Sequence, residues 1–143
     1  MLDMQTKLTG NLSADLERFE ATIKESVIMS GAAAMARVFY EEVKLNTSPP
    51  RMGIKTGNLH NAIYRVYAGD RSSEYAKVYR ISVNKAKAPH WHLLEFGHSG
   101  QAAHPYIRPA FDLVQQAIGA GNARMAERLA QGAEVVGNPL DLV

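Results

Sequence analysis

The chain has 143 residues, 46% of them hydrophobic and 21% charged, with 16 basic against 14 acidic side chains and no cysteine. One domain of ordinary size is expected, apolar enough to bury a core without metals or disulfides. The lack of cysteine excludes a disulfide framework, a thiol nucleophile and a cysteine zinc site. A formal charge of +2 gives no general case for nucleic-acid binding, which needs a concentrated basic face.

The N-terminus shows no basic start followed by a continuous apolar stretch, so no signal peptide is expected. No apolar run approaches the roughly 20 residues that span a bilayer, so no membrane partner is expected either. From Ser13 to about Lys44 the spacing predicts one long helix. Ser13 suits the N-cap, and Asp15 and Glu17 place negative charge in the first turn. Leu12, Leu16, Phe19, Ile23 and Val27 form an apolar stripe that continues through Met35, Val38 and Phe39. The segment from Ser30 to Arg37 is rich in small residues, and Gly31 marks a candidate bend.

Residues 46–55 contain Pro49, Pro50 and Gly53, which stop the helix and leave a loop. Thr56 then reads as the N-cap of a short helix through Ala62. Ile63–Ala68 and Tyr75–Val83 are the strand candidates, joined as an antiparallel hairpin by the polar loop Gly69–Ser73. Pro89–Phe96 is ambiguous between strand and short helix, and Gly97–His104 is a loop. A second helical segment opens at Pro105, is interrupted at Gly119 and Gly121, and resumes from Arg124 to Gln131. The expected fold is α+β, a long N-terminal helix and a C-terminal helix packed on a small antiparallel sheet. It forms a single domain over 1–143, ordered over about 12–132 and ending in a loose tail over 133–143.

The sequence offers little foothold for catalysis. His90 and His92, with Glu95 as a third ligand, would define a metal-dependent hydrolase or nuclease if all three shared one face. The helical His-Glu-x-x-His pattern is missing, however, and surface or interface histidines are the favoured reading. Ser99 lies in a loop without the strand–turn–helix context of a nucleophile elbow. Gly53, Gly57 and Gly69 are too scattered to cradle phosphate. Glu95, the one acid inside an apolar run, suits a structural pairing with Arg108 better than acid–base work. No catalytic, cofactor-binding or metal residue is therefore assigned.

Over the hairpin, Arg65, Arg71, Lys77, Arg80, Lys85 and Lys87 interleave with Tyr64, Tyr67, Tyr75 and Tyr79. That mixture suits a DNA-binding accessory protein, but tyrosine and arginine are also enriched at protein interfaces. Protein contact is favoured over direct nucleic-acid contact.

Two segments are more specific. The first is Thr56-Gly57-Asn58-Leu59-His60-Asn61-Ala62-Ile63 before the hairpin. The second is His92-Leu-Leu-Glu95-Phe96-Gly97-His98, a short loop, then Ala103-His-Pro105-Tyr106-Ile107-Arg108-Pro109-Ala110. Together they resemble the phage tail-component family named after gene product ten of the Hong Kong lambdoid phage. Its members show a Thr-Gly-x-Leu turn into a strand, an apolar-Glu-Phe/Tyr-Gly-Thr turn, and a Pro-Phe-x-Arg-Pro-Ala segment opening the last helix. The likeness covers roughly residues 50 to 115, and the long leading helix suits it. It departs at His98, where threonine is commonest, and at Tyr106, which replaces phenylalanine.

The resemblance implies a non-catalytic virion structural protein, a minor tail, tail-completion or head–tail joining component of the phage or prophage neck. Such proteins assemble as an oligomeric ring, sixfold in the family, between the head connector and the tail tube. The implied partners are connector or adaptor proteins and tail tube or terminator proteins, with synthesis in the bacterial host cytoplasm and a final place in the virion, at the head–tail junction or in the tail. Without the resemblance, Gly57 and Gly97 suit tight turns, Pro105 and Pro109 suit a first helical turn, and Arg108 can reach back to Glu95 as a forked ion pair. The partner-facing candidates are Pro49, Pro50, Arg51 and Met52 in one loop, His98, Ser99 and Gln101 in the other, and Tyr64, Arg65 and Tyr67 on the hairpin.

Overall fold

In the computed structural model of the protein, residues 12–52 and 57–135 are described, with side chains through Gln131. The fold is α+β. The predicted long helix is present as α1 (Leu12–Thr22), a π-helical turn (Ile23–Val27) and α2 (Ile28–Asn46). Ser13 lies inside the first turn rather than capping it. The departure from α geometry falls at Ile23–Val27, ahead of the expected bend at Gly31. The apolar stripe is first fully buried at Val27, and α1 buries no residue.

After the proline turn come α3 (Asn58–Ala62) and β1 (Ile63–Tyr67). Gly57 precedes α3 with a positive φ of 72°, while Thr56, read above as the N-cap, lies outside the described residues. β2 is Tyr79–Val83, antiparallel to β1, with Ile63 opposite Val83 and Tyr67 opposite Tyr79. The expected second strand from Tyr75 is thus too long by four residues, and the expected five-residue loop too short. The connection leaves the ladder because Ser72 Oγ accepts from Val78 N at 2.9 Å and Ser73 N donates to the Ala76 carbonyl at 2.7 Å. Tyr75 points away to the Glu20 carboxylate at 2.9 Å.

The ambiguous run resolves as helix α4 (Trp91–Phe96). A 3₁₀ turn (Arg108–Leu113) leads into α5 (Val114–Val135), which is unbroken through Gly119 and Gly121. The expected interruption is absent because Gly121 marks a helix crossing. A Cβ there would overlap Met35 of α2, and one at Gly31 of α2 would overlap Met125 of α5. Two glycines set opposite one another let the antiparallel helices approach while each receives a methionine from the other. α5 continues past Gly132 to Val135, and the rest of the expected tail lies outside the described residues.

The two-stranded sheet packs against α2, and the core lies between sheet, α2, α4 and the 3₁₀ turn. Val43, Ala62, Ile63, Val83, Ala88, Tyr106 and Ala110 are buried there, ringed by Phe39, Met52, Leu59, Trp91 and Leu94. A two-stranded ribbon is marginal on its own and needs such a helix face behind it. Tyr106, fully enclosed, is the largest side chain in this core.

Candidate functional site

The two ends of the second signature segment, the Glu95 turn and the Tyr106–Arg108 run, meet around one carboxylate. α4 delivers Glu95 to the core, where the residue is 2% exposed. Its Oε2 accepts from the backbone N–H groups of Tyr106 at 2.8 Å and Ile107 at 3.0 Å. Its Oε1 accepts from Arg108 N at 3.1 Å and from Arg108 Nε at 3.2 Å. Arg108 Nη2 donates to the Glu95 carbonyl at 2.6 Å. The expected Glu95–Arg108 pair is present, but only one tine of the fork reaches the carboxylate. The stronger grip comes from three consecutive backbone donors that open the last helical segment, a nest suited to an anion.

Burial pushes the Glu95 carboxyl up, but the backbone N–H groups of Ile107, Tyr106 and Arg108, with the Arg108 guanidinium, outweigh it. Its pKa falls below the ordinary value. Burial, and secondarily the charge of Glu95, pushes the Tyr106 phenol the other way. The phenol donates to the Trp91 carbonyl at 3.2 Å, tying α4 down a second time.

This anchor presents residues 97–104 as an exposed tongue. Gly97 turns at φ 75°, and a Cβ on it would lie 2.7 Å from Ala103 N, so only glycine fits. His98 and Gln101 exchange two backbone hydrogen bonds at 3.0 Å each, and Gly100 N donates to His98 Nδ1 at 3.2 Å. His104 N returns to the Leu94 carbonyl at 2.8 Å, closing the base. His98, Ser99 and Gln101 are exposed at the tip. Phe96 is exposed at the base, its ring under the Arg108 guanidinium at 5.3 Å. Pro105 and Pro109 flank the anchored segment.

The other predicted loop is tied to the same point. Asn46, buried at the end of α2, donates from Nδ2 to the Tyr106 carbonyl at 2.9 Å. Arg51 donates to Asn46 Oδ1 at 2.7 Å and also pairs with Glu42. Pro49 and Pro50, joined by a cis peptide bond, and Arg51 are exposed, while Met52 turns inward onto the core. Arg51, Asn46, Tyr106, Glu95 and Arg108 thus form one chain of hydrogen bonds linking both loops. Sequence reasoning missed Asn46; its one signal was a polar side chain at the end of an apolar helical stripe.

The third predicted patch divides. Tyr64 and Val66 face outward on β1, while Arg65 and Tyr67 alternate to the helix side. The Arg65 guanidinium lies 5.7 Å from the Tyr40 ring centroid of α2, and Tyr67 packs edge-on with Tyr79 at 5.6 Å. The arginines and tyrosines of the hairpin therefore do not form one continuous surface.

The histidine constellation is not assembled. His90 and His92 are exposed, whereas the Glu95 carboxylate is buried with both oxygens engaged. Among the described residues no group of three His, Asp or Glu side chains is placed to hold a metal. His60, the remaining histidine, closes the end of α2: its Nδ1 lies 3.1 Å from the hydroxyls of both Thr47 and Ser48, and its carbonyl accepts from Lys44. No described helix is long and apolar enough to cross a membrane. Compared with known proteins, the chain gives no match to a family model, a curated sequence or a solved structure.

Proposed function

We propose that this chain is a non-catalytic structural component of a tailed-phage virion, a tail-completion or head–tail joining protein that forms a ring between head connector and tail tube. One observation supports this reading most. Within the second family-like segment, the Glu95-Phe96-Gly97 turn and the Tyr106–Arg108 run fold onto each other as a single lock, and what that lock holds out is a pair of exposed loops. The buried polar groups at this end of the molecule are engaged in positioning backbone. The exposed ones, Arg51, His98, Ser99 and Gln101 with Phe96, are suited to matching another protein's surface.

Partner proteins of the connector or adaptor kind would meet one loop face, and tube or terminator proteins another. Neighbouring copies in the ring would meet through unlike patches, as a closed heterologous assembly requires. The reading is tested by locating the chain in purified particles. Mass spectrometry should find it at a fixed copy number per virion, and gold-labelled antibody should mark the head–tail junction. Particles that are complete and infectious without the chain would overturn the reading.

A further inference from the structure

α1 is the element this fold uses least. None of its residues is buried, and it packs chiefly on its own continuation, Ile23–Val27. It is nevertheless amphipathic. Leu12 and Leu16 are 50% and 58% exposed, beside Asp15, Glu17 and Glu20, with Arg18 the one base among them.

A second unpartnered feature lies where α2, α5 and β1 meet. A cleft of about 770 Å³ has Arg37, Arg65, Arg124 and Arg128 in its walls, Ser30 among its small residues, and Glu25 as the one acid in its lining. Arg37 and Arg124 each engage a glutamate on their own helix, Glu41 and Glu127. The other two have capacity to spare. Among the described residues Arg65 reaches only the Ala33 carbonyl, at 3.4 Å, besides the Tyr40 ring. Arg128 Nε is buried without a hydrogen-bond partner among the described residues. A buried guanidinium nitrogen left unpaired is costly, and the Arg128 guanidinium lines the cleft, where a carboxylate can meet it with a charge-assisted bond.

We propose that this arginine cleft receives the acidic, leucine-bearing α1 of a second copy of the chain. Charge complementarity selects the occupant: Glu17 has no ion-pair partner among the described residues and Asp15 meets only Arg18, at 3.9 Å, while Glu20 is held by Lys24 and Tyr75, and the cleft offers planar forks that match carboxylates. The small residues of the cleft wall leave room for a helix to approach, and Leu12 and Leu16 leave water on docking. DNA fits less well, because phosphate recognition needs basic groups spread along a duplex, whereas these four converge on one short cleft. Giver and receiver are different patches, so each copy donates α1 to one neighbour and accepts it from another. This deepens the ring reading and rests on it only for ring closure. Association itself is measured on the purified chain, so its failure would leave the joining role standing.

The experiment is sedimentation equilibrium of the full chain at low salt and at high salt, with two charge-reversed variants. One carries Arg124→Glu and Arg128→Glu, the other Asp15→Lys and Glu17→Lys, each checked for native circular dichroism. The wild type should self-associate, more weakly at high salt. Each variant alone should associate at least about tenfold more weakly. An equimolar mixture should recover the association, since each then offers the other an opposite charge at both patches. Should the cleft variant fail to fold, Arg128→Gln and the α1 variant, whose positions bury nothing, carry the test. A wild type that stays monomeric, variants that associate as tightly as wild type, or a mixture that does not recover would overturn the proposal. So would self-association that survives the cleft change while binding of a duplex DNA oligonucleotide is lost.

Discussion

Replacing Glu95 by glutamine separates the backbone nest from the visible ion pair as the source of the anchor's strength. Glutamine keeps the shape but turns one oxygen into an NH2 group. Each Glu95 oxygen faces two donors, Tyr106 N and Ile107 N on one side, Arg108 N and Nε on the other. Whichever way the amide turns, two donors meet a donor. Leaving a buried donor unsatisfied costs about 1–3 kcal/mol, so Glu95→Gln should destabilise by about 3–4 kcal/mol. That is a large share of the roughly 5–15 kcal/mol typical of a domain. Arg108→Ala should cost only about 1 kcal/mol, because its side chain is 55% exposed and surface ion pairs are weak. Guanidinium denaturation followed by circular dichroism measures both. The reasoning is refuted if Arg108→Ala costs as much as Glu95→Gln, or if Glu95→Gln costs less than about 1 kcal/mol.

The same carboxylate sets a pH dependence. Its pKa is lowered by folding, so its contribution is present above the unfolded value of about 4.3 and is lost as pH falls through the folded value. The stability gap between wild type and Glu95→Gln should therefore narrow from pH 7 to pH 3; a gap independent of pH would contradict the assignment. Gly97→Ala should lower stability by about 2 kcal/mol or more, from the positive φ and the Ala103 backbone. Gly119→Ala, with nothing within 4 Å of the added carbon, should stabilise by up to about 1 kcal/mol; thermal melts compare the two. Asn46→Ala should cost about 1–2 kcal/mol by unsatisfying the buried Tyr106 carbonyl, and should raise amide exchange at Tyr106 and Ile107 more than in β1.

The α+β class was legible because the helical stripe and the β-branched run before Gly69 carry their periods openly. Glu95 with Arg108 was legible as a pair of charges bounding one loop. The rest of the anchor was hidden for a physical reason: its main donors are backbone N–H groups, which every residue but proline carries and no side-chain pattern announces. Tyr75 looked like strand because an aromatic suits a sheet, yet its hydroxyl is held by Glu20, far away in sequence. Gly121 looked like a helix break because its virtue, the absence of a Cβ facing Met35, exists only once α2 is packed there. The arginine cleft escaped notice because Arg37, Arg65 and Arg128 are brought together by tertiary packing alone.

The most direct test of the proposed role is electron microscopy of lysates from a phage carrying an early stop codon in this gene. The account predicts DNA-filled heads separate from free tails, or tails of abnormal length, with joined particles restored by the gene supplied in trans. Normal joined particles in the mutant lysate would contradict it.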